Sequence, residues 1–139
     1  MAEGFFRHHV EEAGVEIAVA SAGVGAISGC PPSENSQIVM KELDIDITDQ
    51  RSQQLTPSMV EEFSHIVGMA QSHIDVIRAH FPSSIGKTFV LRELLDNDSP
   101  DIDIPDPIGG TLEEYRASRD LIKEAMPSLF NSLLSGNIG

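Results

Sequence analysis

The chain has 139 residues, 40% of them hydrophobic, which suits one soluble domain built on one core and not a disordered segment. Nine Lys and Arg stand against 22 Asp and Glu, a net charge of −13; such a surface repels a nucleic-acid backbone, and no basic cluster offsets it. No apolar run reaches the roughly 18 residues of a membrane helix, and one cysteine, Cys30, allows neither an internal disulfide nor a thiolate metal cage.

The amino end is amphipathic and lacks the charge, apolar run and small cleavage site of a signal peptide, so a cytoplasmic protein is expected. Apolar Met1, Phe5, Phe6 and Val10 predict a helix over 1–12, with Gly14 as its stop. Residues 15–20 alternate and are β-branched, as in a strand. Gly23, Gly25, Gly29 and Pro31-Pro32 then mark a loop, and Pro32 opens a helix over 32–43 with Ile38, Val39 and Leu43 inward. Residues 44–55 are polar and irregular.

Thr56-Pro57 reads as an N-cap followed by proline at the first helical position, starting a short helix that ends at Glu62. Residues 63–69 form a buried strand, 72–80 a helix that Phe81-Pro82 ends, and 87–92 a further strand. A loop rich in Asp and Pro covers 96–110. Thr111-Leu-Glu-Glu114 has capping-box spacing and starts the last helix, with Tyr115, Ile122, Met126, Leu129 and Leu133 inward and a kink at Pro127. Strands separated by helices imply parallel pairing: an α/β protein with three α/β/α layers around a small parallel sheet, one domain over 1–139.

Four segments in order resemble the low-molecular-weight protein tyrosine phosphatases and their arginine phosphatase and arsenate reductase relatives. They are Met1-Ala-Glu-Gly-Phe-Phe; Ala20-Ser-Ala-Gly23 followed by Gly29 and Pro31-Pro32; Leu43-Asp-Ile-Asp-Ile47 with Arg51-Ser52, Leu55-Thr56 and Ile66 to Met69; and Asp103-Ile-Pro-Asp106-Pro-Ile-Gly109-Gly110 with Glu114-Tyr115. The last is the most specific. The resemblance implies a sheet of four parallel strands, with the first in sequence at its centre, and a Cys-x5-Arg-Ser loop leading into the first helix. Backbone N–H groups of such a loop cradle a phosphoryl dianion and lower the thiol pKa. The arginine neutralises the equatorial oxygens, and the thiolate takes the phosphoryl group as a cysteinyl-phosphate that water hydrolyses.

These 139 residues contain no such loop: the fifth residue after Cys30 is Asn35 and the next is Ser36, not Arg. Cys30 reads as a loop residue, and the chain as given is expected not to turn over a phosphoester. By resemblance Asp106 is the general acid, with Pro105 and Pro107 stiffening its loop and Gly109-Gly110 permitting the turn. Ser21 either bonds to the phosphate loop or is a plain strand-end serine. Tyr115 is more a core residue than a phosphorylation site, and Arg51 reads as structural.

The five histidines, His8, His9, His65, His73 and His80, read as solvated or core residues, since His73 and His80 lack a third ligand. Gly23-Val-Gly25 is no nucleotide fingerprint. No metal or organic cofactor is implied. The substrate implied is a phosphotyrosine protein, with phosphoarginine and arsenate as alternatives; a catalytically dead, partner-binding domain is the reading from another class.

Without the central first strand, residues 15–20 lose their neighbour. Each unpaired buried backbone group costs roughly 1–3 kcal/mol, so either 15–20 close against 63–69 or the chain is marginal and self-associates through the open sheet edge. Met1 is expected to be an internal methionine of a longer reading frame; a chain that truly begins there is the alternative.

Overall fold

The computed structural model describes residues 1–24, 27–95 and 101–135. Among the described residues five α-helices and two strands follow in order: α1 (Ala2–Ala13), α2 (Glu34–Lys41), α3 (Pro57–Glu62), β1 (Ile66–Gly68), α4 (Gln71–His80), β2 (Thr88–Val90) and α5 (Leu112–Ser135). Turns of 3-10 helix flank β2 at Pro82–Lys87 and Leu91–Leu94. None of the described helices is long and apolar enough to cross a membrane.

Local signals set most helix ends. Gly14 closes α1 in the left-handed conformation at φ 67°. Thr56 accepts a hydrogen bond from the Met59 N–H at 3.2 Å with Pro57 in the first turn, and α4 ends at Phe81 ahead of Pro82. Thr111 Oγ1 accepts from the Glu114 N–H at 3.2 Å, starting α5. The last helix continues through Pro127 to Ser135.

At α2 the structure departs from the expected pattern. The helix opens at Glu34 and not at Pro32, with Ser33 as its cap, accepting from the Ser36 N–H. Val39 and Met40 are fully buried while Ile38 is exposed, because α5 lies across the Val39–Met40 face.

β1 and β2 pair in parallel in the register Ile66↔Thr88, Val67↔Phe89, Gly68↔Val90, with α4 as the crossover. Alternation along β2 separates two apolar layers. Phe89, together with Leu91 just beyond the strand, joins α1, α2 and α5, whereas Val90 turns to Ile74 and Ile77 of α4. Gly68 lets α4 approach: a Cβ there would lie 2.6 Å from Ile74 Cδ1.

The segment 15–20 is not a strand, and pairing with 63–69, one of the two outcomes expected, does not form. Its nearest ladder contact is an isolated parallel bridge between Gly23 and Gln54. With no adjacent ladder to supply backbone partners, β-branched composition alone does not make a strand. Ile17 to Ala22 and the β1 residues Ile66 and Val67 instead line a shared, largely apolar cavity of about 650 Å³.

The irregular stretch 44–55 also holds core: Ile45 and Ile47 are buried among Phe5, Val39 and Met40. Asp44 turns the chain at φ 60°, and Asp46 accepts from the Thr48 N–H at 2.8 Å.

Glu42 ties α2 to α5. Its carboxylate accepts from Arg116 Nη2 and from Arg119 Nη1, each at 2.7 Å, and Arg119 also donates to the Val39 carbonyl at 2.9 Å. The Arg116 hydrogen bond, then that of Arg119, holds the Glu42 carboxyl down at about 2. A depressed carboxyl stabilises the fold above its ordinary value of 4.5 and loses that contribution as pH falls towards about 2. The melting temperature of the wild type should therefore exceed that of Glu42→Gln near neutrality, with the gap closing across this acid range. Thermal melts of both proteins at stepped pH check it; a constant gap would exclude the linkage.

Candidate active site

The candidate site lies where the carboxyl end of β1, the start of α1 and the loop 101–110 come together. Ligands of parallel α/β sheets bind beyond the carboxyl ends of the strands. The Ile104 N–H donates to the Met69 carbonyl at 2.8 Å, which fastens the loop to the chain just after β1. Asp103 Oδ1 accepts from the Gln71 N–H at 2.8 Å, placing a carboxylate on the α4 N-terminus that its own residue Ala70 leaves uncapped.

Asp106 is exposed, and its Oδ1 accepts from the Ile108 N–H at 3.1 Å. That bond within the loop fixes the carboxyl in an Asx turn. Gly109 takes φ 76°, a conformation with little steric cost only for glycine, and the Gly110 N–H donates to the Pro107 carbonyl at 2.7 Å. On the other side Ser118 Oγ donates to the Pro105 carbonyl at 2.8 Å. Asp106, Met1, Ser21 and His65 all line the 650 Å³ cavity.

Ser21 is more than a strand-end serine. Its Oγ donates to Glu3 Oε1, Glu3 Oε2 meets Arg7 Nε at 2.9 Å, and Arg7 Nη2 donates to the Val19 carbonyl. The network pins the segment lining the cavity to the first turns of α1, and Gln53 Nε2 adds a bond to the Ser21 carbonyl at 2.8 Å.

The other candidates lie elsewhere. Cys30 is exposed and absent from the cavity lining; its N–H and carbonyl are both taken by Ser52, at 3.0 and 2.8 Å. Ser52 Oγ also donates to the Ile27 carbonyl, so it clamps that loop. Arg51 Nη1 donates to the Thr48 and Gln50 carbonyls, both at 2.7 Å, within its own turn. Tyr115 is buried, with its hydroxyl 3.3 Å from Ser33 Oγ. Gly25 of the glycine pair lies outside the described residues, as does the 96–100 part of the acidic loop.

His8 meets Glu12 at 3.1 Å, His9 stacks on Phe130, and His65 packs against Phe89. Among the described residues no group of three His, Cys, Asp or Glu could hold a metal ion.

Sequence reasoning missed Ser118, and it placed Asp103 and Glu3 in resembling segments without giving them a bond. For Ser118 a signal exists: a hydroxyl three residues after Tyr115 and four before Ile122, on the inward stripe of α5, needs a buried partner.

The architecture defines a small parallel α/β protein in which Asp106 and the start of the first helix border one cavity. A model of the low molecular weight phosphotyrosine protein phosphatases matches residues 1–136, and the chain belongs to that family. It is 38% identical over 120 residues to a protein-arginine-phosphatase of Geobacillus stearothermophilus, covering 86% of this chain and 78% of that protein. Over 110 residues it is 32% identical to a probable low molecular weight protein-tyrosine-phosphatase, EpsP, of Ralstonia nicotianae, covering 79% and 72%.

Among solved structures, the YwlE arginine phosphatase from Geobacillus stearothermophilus superposes with a TM-score of 0.84 at 33% identity, covering 97% of this chain and 84% of that one. A low molecular weight protein tyrosine phosphatase from T. tengcongensis gives 0.85 at 29% identity, covering 94% and 88%.

Proposed function

We propose that this protein is a phosphomonoester hydrolase of phosphorylated proteins, with phosphotyrosine as the first substrate class and Asp106 as general acid. The observation that carries the reading is that Asp106 and Met1, at the N-terminus of α1, line one cavity. The family resemblance puts the nucleophile loop immediately ahead of that helix. A thiolate there attacks phosphorus and forms an S–P bond while the P–O bond to the leaving group breaks. Asp106 gives its proton to the departing oxygen, then as carboxylate takes one from the water that releases inorganic phosphate and restores the thiolate. Relatives named as arginine phosphatases make phosphoarginine the competing substrate, its leaving atom being nitrogen.

Residues 1–139 supply the acid but not the thiolate, since their one cysteine is outside the cavity. The test compares the chain as given with the same chain preceded by a strand and a Cys-x5-Arg-Ser loop, on an aryl phosphate, a phosphotyrosine peptide and a phosphoarginine peptide. Turnover is expected from the extended form alone. Turnover by the 139 residues that disappears in Cys30→Ser would overturn the assignment.

A second reading, a partner-binding domain without turnover, is favoured by the cavity itself. β1 is hydrogen-bonded to β2 on one edge, and its residues border largely apolar space on the way to Ile17. An open edge of this kind takes up a further strand, including one from a second copy. Sedimentation across a concentration series separates the readings: dimers of the given chain that vanish in the extended form support association through that edge.

A further inference from the structure

Ser118 is 3% exposed on a face of α5 otherwise given to Tyr115, Ile122 and Met126. A hydroxyl buried among apolar side chains is costly unless bonded, and this one donates to the Pro105 carbonyl at 2.8 Å. Pro105 and Pro107 flank Asp106 and carry no N–H, so the backbone on either side of the carboxylate has no donor of its own to anchor it. The Pro105 carbonyl belongs to the same peptide unit as the Asp106 nitrogen. Holding that carbonyl sets the plane of the peptide and, through it, the direction of the Asp106 Cα–Cβ bond.

Beyond the bond from the Ile108 N–H to Asp106 Oδ1 at 3.1 Å, which holds the carboxyl but not the peptide before it, the remaining ties lie further out. On one side the Ile104 N–H reaches the Met69 carbonyl; on the other the Gly110 N–H closes the turn onto the Pro107 carbonyl at 2.7 Å. A Cβ on Gly110 would stand 2.8 Å from that same carbonyl, so the turn is also closely packed. We infer that Ser118 is a positioning residue for the general acid, acting through the Pro105 carbonyl to keep the Asp106 loop preformed. The inference rests on the phosphatase reading.

A purely structural hydroxyl would slow all substrates alike. A positioning role makes a different pattern, because only leaving groups that need a proton depend on the acid. In the extended form, Ser118→Ala should lower kcat/KM on phosphotyrosine, which reports the steps up to the cysteinyl-phosphate, roughly 10- to 100-fold, while kcat/KM on a dinitrophenyl phosphate falls less than about twofold because its anion departs unaided. Ser118→Thr should restore the rate, and in an Asp106→Asn background Ser118→Ala should cost nothing further.

Equal losses of kcat/KM on both esters, or no loss on either, would overturn the inference and leave the phosphatase reading intact. An extended wild type that hydrolyses neither ester would sink that reading and this one with it. On the 139-residue chain, Ser118→Ala should speed amide exchange at Ile108 and Gly110 by about five- to tenfold, with recovery in Ser118→Thr. Unchanged exchange would overturn the inference independently of activity.

Discussion

Asp106→Asn, placed in the form that carries a Cys-x5-Arg-Ser loop ahead of α1, should lower kcat on phosphotyrosine by roughly 10²–10⁴-fold, the usual worth of a positioned general acid. The substitution isolates the proton from the geometry. Asparagine keeps an oxygen at Oδ1, so the bond from the Ile108 N–H at 3.1 Å, which shapes the loop, survives. What is lost is the proton for the leaving phenolate, whose conjugate acid has a pKa of about 10 and which departs poorly as an anion.

The loss should shrink on a dinitrophenyl phosphate, where breaking the P–O bond needs little protonation, until hydrolysis of the cysteinyl-phosphate limits the rate. Burst kinetics then separate the two chemical steps, because Asp106 is proposed as acid in the first and base in the second. Unaltered kcat on phosphotyrosine would remove Asp106 from the mechanism and leave the proton to other cavity groups such as His65.

The parts of this fold that a sequence announces are those determined within a few residues. Thr56-Pro57, Thr111 with Glu114, and Gly14 each fix a helix end through a bond or backbone angle that needs no distant partner. The segment 15–20 shows the opposite case. Its alternation is that of a strand, yet a strand exists only beside another, and the ladder partner is a tertiary fact.

Ile38 and Met40 exchanged roles for a related reason: the apolar stripe of α2 is wide enough to face two ways, and the crossing of α5 chooses. For the proposed site, Asp106 was singled out by the D-x-P-D-P pattern. The residues that hold it were not, since the bonds from Ser118, Asp103 and Met69 to that neighbourhood span 13 to 35 positions of sequence or join separate elements.

Ile47→Ala should destabilise the protein by roughly 2–5 kcal/mol, the range for truncating a buried isoleucine that leaves a hole. The size of the effect depends on whether neighbours can fill the space. Ile47 is 2% exposed, and its Cγ2 lies where a Cβ on Gly4 would come within 2.6 Å; Met40 Cε is 3.3 Å from the same point. Gly4 has no side chain to move inward, and Met40 is already fully buried. Leu129, by contrast, borders the 650 Å³ cavity, where truncation enlarges existing space and collapse is easier.

Because Ile47 seats the first turn of α1, the same change loosens the helix terminus that the phosphate chemistry is proposed to use, so stability and kcat should fall together in the extended form. Urea unfolding measures the first effect directly, with an unchanged m-value showing that the folded and unfolded states keep their exposure. Against a total of about 5–15 kcal/mol for a domain, a loss under about 1 kcal/mol would mean that α1 is not packed on Ile47 in solution.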